Sequence, residues 1–252
     1  MLNPSFMTVT INLLESFGQN LLLFISTLVL ALPLGLIICF GSMSKFKPFA
    51  FLLRLNIASA KSENSEKPSL ITGLVLILGN FKPIAAVSRL FVWVIRGTPL
   101  LLQLYVVFYV PGLVFDIPIR TRMTAALIAF VINYAAYFSE IYRGGIESMA
   151  RGQYEAAQVL GMTKTQVFFK VILMQVVKRI VPPMSNEIIT LVKDTSLARV
   201  IAVPEILKAA ERYSSNGLVW PLFYTGLFFL IFNGIVTIVL EKVEKAFGYY
   251  KN

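Results

Sequence analysis

Glu187, Lys193 and Asp194 lie in a stretch, Val171 to about Val203, that is otherwise apolar; Lys178, Arg179 and Arg199 share it. Glu187 and Asp194 are seven residues apart, about 700° on an α-helix, so they lie on one face two turns apart. Asn186 and Lys193 repeat the spacing on a neighbouring face. Ionised side chains in an apolar helix are costly and usually face a cavity or a partner. Carboxylates placed there can hold an ammonium, while Lys193 or Arg96 can hold a carboxylate; the arginine fork suits bidentate pairing. A zwitterionic amino acid is the ligand class that such a set fits. The same residues also read as a structural ion-pair network in a dimer interface. A third reading puts Lys193 and Asp194 near a membrane surface, where their charge costs little. The residues alone leave these readings open.

Much other chemistry is excluded by composition. The chain contains no histidine, and Cys39 is its one cysteine. His-based metal sites, a Ser-His-Asp triad and an intrachain disulfide framework are therefore ruled out. No Gly-x-x-x-x-Gly-Lys-Ser/Thr loop occurs, so ATP binding by this chain is not expected. The net charge is +10, yet no basic patch interleaved with aromatics is present, and nucleic acid is not an expected partner.

The elements that must carry these residues are membrane helices. Of 252 residues, 57% are hydrophobic and 14% charged, against about a quarter charged in a typical soluble domain. One span of a ~30 Å bilayer core needs about 20 apolar residues. Ser16 to Ser44 is free of Asp, Glu, Lys and Arg and forms the first span. Ala85 to Phe115 forms the second, broken or kinked near Pro99. Met123 to Ser139 forms the third, the charged stretch from Val171 the fourth, and Tyr213 to Leu240 the last. Residues 55–80 read as an insertion or loop, in which Leu70 to Phe81 is too short to span alone. Residues 1–15 carry no Lys or Arg; the loop after the first span carries five, the loop from Arg143 to Lys170 four, and the tail three. Positive loops face the cytoplasm, which predicts five spans, the N-terminus outside and the C-terminus inside. The first residues lack a basic n-region, so no cleavable signal peptide is expected. The chain thus reads as all-α and polytopic, a single transmembrane domain over residues 1–252 in a lipid bilayer.

A polar loop over residues 140–170 interrupts this pattern. It contains Glu155-Ala156-Ala157-Gln158-Val159-Leu160-Gly161, followed nine residues later by Val171-Ile172-Leu173. The pattern predicts a short helix, a glycine stop and a second helix; Gly161 suits a helix end that needs a left-handed residue. A short helix with small residues can fit a groove in a partner, although an ordinary amphipathic loop helix gives the same pattern. The stretch resembles the EAA loop of ABC importer permeases, with Met174 where that family closes on proline. Four more segments resemble signatures of the polar amino-acid branch of that family, in its order. They are Arg96-Gly97-Thr98-Pro99-Leu100-Leu101-Leu102-Gln103-Leu104, Ala136 through Ile146, Pro182-Pro183-Met184-Ser185-Asn186-Glu187, and Lys193-Asp194-Thr195-Ser196-Leu197.

The resemblance implies a permease subunit with the MetI-like fold of type I importers, in the cytoplasmic membrane of a bacterium. It implies Glu155, Ala156, Ala157 and Gly161 as the contact to an ATP-binding partner. Glu187, Lys193, Asp194, Thr195 and Arg96 become the expected substrate-binding residues. Implied partners are two ATP-binding subunits that hold ATP and Mg, a second permease copy, identical or homologous, and an external amino-acid-binding protein. Two rivals are an ion-coupled secondary transporter using Glu187 and Asp194, and a membrane enzyme using the same carboxylates.

Overall fold

A computed structural model describes residues 5–50 and 77–247. Within them every regular element is helical. The loop expected at Ser59 to Pro68 and most of the short apolar segment after it lie outside the described residues.

Helix α1 spans Phe6–Ser42, 37 residues. Its length of about 55 Å at 1.5 Å per residue exceeds the bilayer core. Ser5 caps it, accepting a hydrogen bond from the Thr8 N–H at 3.2 Å. The helix therefore begins ten residues before the uncharged run, because Glu15 points outward and does not interrupt it. Helix α2, Pro83–Arg96, opens on proline, whose missing N–H costs nothing at a first turn. Helix α3, Leu100–Phe115, follows at an angle of 107°. Helix α4 spans Arg122–Glu147 and α5 spans Arg151–Val159. A short turn, Lys164–Gln166, and a π-helical segment, Val167–Ile172, lead into α6, Leu173–Asp194. A 3₁₀ segment, Thr195–Ile201, then precedes α7, Ile206–Ser215, and α8, Trp220–Phe247.

Helix α4 is the axis of the core. Its buried positions include Ala125, Ala126, Ala129, Ala135, Ala136 and Ser139. In lipid there is no hydrophobic drive between helices, and small side chains let backbones approach. Helix α1 packs there on Gly35. A Cβ added at Gly35 would sit 2.9 Å from the Ala135 carbonyl oxygen and 2.9 Å from Phe138 Cβ. Gly145, near the end of α4, gives the same close approach to Ile180 of α6. Phe17 and Phe24 of α1 meet Phe228, Phe229 and Phe232 of α8 in a cluster of edge-on and tilted rings.

Three described helices, α1, α4 and α8, are long and apolar enough to cross a membrane, and the bent pair α2–α3 makes a fourth if it is one broken span. Helix α6 has the length, 22 residues, but Lys178, Arg179, Glu187, Lys193 and Asp194 set it apart from that group. Two boundaries differ from the sequence reading. Helix α4 runs on past Ser139, because Arg143 bonds Glu140 three residues before it and Glu147 four after it, pairs that stabilise a helix. The last span starts after a break at Gly217, whose φ of 88° belongs to the left-handed region that glycine enters freely.

Candidate functional site

The break between α2 and α3 is held by side chains. Thr98 Oγ1 donates to the Val94 carbonyl at 3.0 Å. Gln103 Nε2 donates to the Ile95 carbonyl at 2.8 Å and to the Thr98 carbonyl at 3.1 Å. Both acceptors lie where the regular hydrogen bonds of α2 stop, and helix-end carbonyls need partners from outside the helix. Gln103 is itself fixed from α4, since Asn133 Nδ2 donates to its Oε1 at 3.1 Å. Gln103 and Asn133 are both buried.

This break delivers Arg96 to the side of α4. Its guanidinium lies 5.1 Å above the Tyr137 ring centre and 3.7 Å from a Glu140 carboxylate oxygen. Glu140 in turn accepts from Arg143 Nη2 at 2.5 Å and from Nε at 3.0 Å, a bidentate pair. Arg143 also reaches Glu147 at 2.7 Å. A cavity of about 730 Å³ opens beside this chain of charges, lined by Arg89, Trp93, Arg96, Glu140, Arg143 and Glu147. Arg89, two turns before Arg96 on α2, lines the same cavity.

Asp194 approaches α4 one turn before Tyr137, at Tyr134. Tyr134 Oη donates to its Oδ2 at 2.7 Å. Glu187 is half-buried on α6, two turns before Asp194. Lys193 is exposed. Thr195 is 1% exposed and faces α1. It accepts from Asn20 Nδ2 at 3.0 Å and donates to the Val192 carbonyl at 2.8 Å. Asn20 also bonds Glu205 Oε2 at 3.3 Å and accepts from the Ile206 N–H at 3.1 Å. Glu205, itself 1% exposed, caps α7 by accepting from the N–H groups of Lys208 and Leu207 at 2.6 and 3.0 Å. Among the described residues no ion pair joins Glu187, Lys193 and Asp194 to one another.

The structure therefore brings Arg96 and Asp194 to α4, leaves Glu187 half-buried on α6 and Lys193 outward, and turns Thr195 toward α1. Sequence reasoning passed over Tyr134, Asn133, Gln103, Asn20 and Glu205. Asn20 had a visible signal, an amide inside a run without a single charge. Glu140 and Gln103 stood inside quoted motifs without a role of their own.

The second feature is the loop after α4. Helix α5 ends as the spacing predicts: Gly161 has φ 70°, and the Met162 N–H donates back to the Ala157 carbonyl at 3.2 Å. Ala157 is buried against Val167 and Ile172, while Glu155, Ala156 and Gly161 are exposed. Val159 and Leu160 are 88% and 78% exposed, an apolar edge of this loop. The next helix starts at Thr163, whose side chain and that of Gln166 form a reciprocal capping box. Arg179 of α6 donates to the Ser148 carbonyl at 2.5 Å, fixing the root of the loop. The start after Gly161 is thus set by Thr163, with Met174 well inside the helical run.

Among the described residues, a helical, membrane-type bundle with charged side chains gathered beside its central helix and a short, largely exposed helix after it has the make-up of a membrane-embedded transporter subunit. Residues 69–249 match the family described as binding-protein-dependent transport system inner membrane component, and the chain belongs to that family. It is a permease subunit of an ABC transporter, not an enzyme. Over 158 residues it is 40% identical to the L-cystine transport system permease protein TcyB of Bacillus subtilis (strain 168). That match covers 60% of this chain and 66% of the relative, just under two thirds of its length. It is 35% identical over 183 residues to the arginine transport system permease protein ArtQ of the same organism, covering 70% of this chain and 82% of that one. The crystal structure of an amino acid ABC transporter with histidines superposes with a TM-score of 0.75 at 25% identity, covering 97% of this chain and all of the other.

Proposed function

We propose that this chain is the permease of a bacterial type I importer that carries a polar L-amino acid through the cytoplasmic membrane. The observation that carries this reading is the largely exposed α5 with its glycine stop, on a chain of this family. Its exposed Glu155, Ala156 and Gly161, beside Val159 and Leu160, form the surface that seats in an ATP-binding partner. Two such partners, each holding ATP and Mg, drive two permease copies, and an external binding protein delivers the substrate. Five spans follow if α6 crosses as the fourth, with the N-terminus outside and the C-terminus in the cytoplasm.

The substrate site in this reading is the group Arg96, Glu187, Asp194, Lys193 and Thr195. Arg96 takes the carboxylate; Glu187 and Asp194 take the ammonium. Thr195 acts from behind, holding the end of α6 to Asn20, and Lys193 faces the second permease copy. The relatives are named for L-cystine and arginine, and L-cystine, L-arginine and L-histidine are the first substrates to test. An ion-coupled secondary transporter is not favoured, because the family works with binding proteins.

In the assembled complex, Glu187→Gln or Asp194→Asn should lower import by about tenfold or more, equivalent to about 1.4 kcal/mol or more of transition-state stabilisation. Normal import by both variants would refute the site. Asn3→Cys should react with an impermeant maleimide added outside; reaction only from the cytoplasmic side would refute the orientation.

A further inference from the structure

Two neighbouring residues of α4 hold the two opposite poles of the charged site. Adjacent residues on a helix point about 100° apart, so neighbours can serve two different partners. Asn133 points to the α2–α3 break, where it bonds Gln103, the residue that ties down the Ile95 and Thr98 carbonyls. Tyr137 and Glu140 follow on the same face, at four and seven residues, and both touch the Arg96 guanidinium. Tyr134 points about 100° round the helix from Asn133 and donates to Asp194. Asn133 and Tyr134 are both buried, 5% and 2% exposed, and neither lines the cavity beside Arg96.

We propose that Asn133 and Tyr134 are positioning residues that fix the distance between a carboxylate-binding pole, Arg96, and an ammonium-binding pole, Asp194. The proposal rests on the substrate reading given above. Arg96 is the last residue of α2, and nothing within that helix fixes its direction once the helix stops. The Asn133–Gln103 bond does so, by closing the break against α4. Asp194 is the last residue of α6, before the chain tightens into the 3₁₀ segment. The Tyr134 hydroxyl holds its Oδ2, and among the described residues Oδ1 accepts no hydrogen bond. That oxygen is the one presented to an ammonium. Because both holders sit next to each other on one helix, the two bonds refer both poles to α4 for as long as they hold.

The test uses the full complex with its ATP-binding subunits in proteoliposomes, importing labelled L-cystine, L-arginine or L-histidine. Tyr134→Phe keeps the ring and removes the hydroxyl; it should cut import by about tenfold, the scale of a hydrogen bond to a charged group. Asn133→Ala should cut it by about threefold, the scale of a neutral bond. The pattern of coupling separates positioning from general damage. Tyr134→Phe should add little to Asp194→Asn but its full factor to Arg96→Lys. Asn133→Ala should do the reverse. Losses that multiply in all four combinations, or that track loss of assembled complex, would overturn the proposal. So would single variants that import normally. If Arg96→Lys and Asp194→Asn are themselves silent, the substrate reading fails and this proposal falls with it.

Discussion

The loop helix α5 and the central helix α4 lie next to each other in the chain and work by opposite rules. Helix α5 buries little beyond Ala157 and turns its remaining surface, including Val159 and Leu160, outward. Its working parts are local: a helix, a left-handed glycine and a capped restart within about a dozen residues. Helix α4 does its work inward. Asn133, Tyr134, Tyr137 and Glu140 each reach a residue that is far away in sequence, on α2, α3 or α6. In the proposed function, one region is a surface for a partner and the other an internal frame that sets where charges stand. Damage to the first should uncouple the transporter without unfolding it, whereas damage to the second should alter the bundle or its substrate site.

The largest effect is expected at the loop. Gly161 is exposed, and a Cβ there would meet nothing, so a side chain costs only the strain of positive φ, on the order of 1 kcal/mol. Gly161→Asp should therefore leave membrane insertion intact and abolish copurification of the ATP-binding subunit; full retention would break the contrast. Gly35→Val tests the other side. It forces a branched side chain against the Ala135 carbonyl and Phe138 Cβ, at a cost of about 1–3 kcal/mol of overpacking. Thermal melting of the detergent-solubilised chain should drop by several degrees, and an unchanged melt would mean that α1 and α4 are not so close. Val159→Ser should leave the melt unmoved and weaken capture of the ATP-binding subunit by about threefold, as expected for losing part of one apolar contact. The smallest effect is expected for Thr163→Ala, which removes the capping-box acceptor. A loss of about 1 kcal/mol in local helix stability should appear as faster amide exchange over residues 163–167, with import nearly unchanged.

The same contrast explains what could be read from the sequence. The glycine stop, the α2–α3 break at Pro99 and the apolar lengths of α1, α4 and α8 depend on residues close together in the chain. The charged spacing of Glu187 and Asp194 on one helix was legible for the same reason. Tyr134 and Asn133 were not legible, because a tyrosine and an asparagine in an apolar run have no assigned partner until α6 and α3 are placed against them. The end of α4 was misplaced at Ser139 because charge was read as the end of the helix. Arg143, bridging Glu140 and Glu147, turns those charges into helix-stabilising pairs. Thr195, named for substrate, faces Asn20 behind the site, a direction that its position in a motif does not encode.

The central claim is that this chain moves its substrate only when an ATP-binding partner sits on α5. Uptake of labelled amino acid into proteoliposomes tests it most directly, comparing the permease alone with the permease plus its ATP-binding subunits, binding protein and ATP. The account predicts uptake only in the complete, ATP-supplied assembly, and its loss with Gly161→Asp. Uptake by the permease alone, driven by a proton or sodium gradient and unaffected by Gly161→Asp, would contradict it.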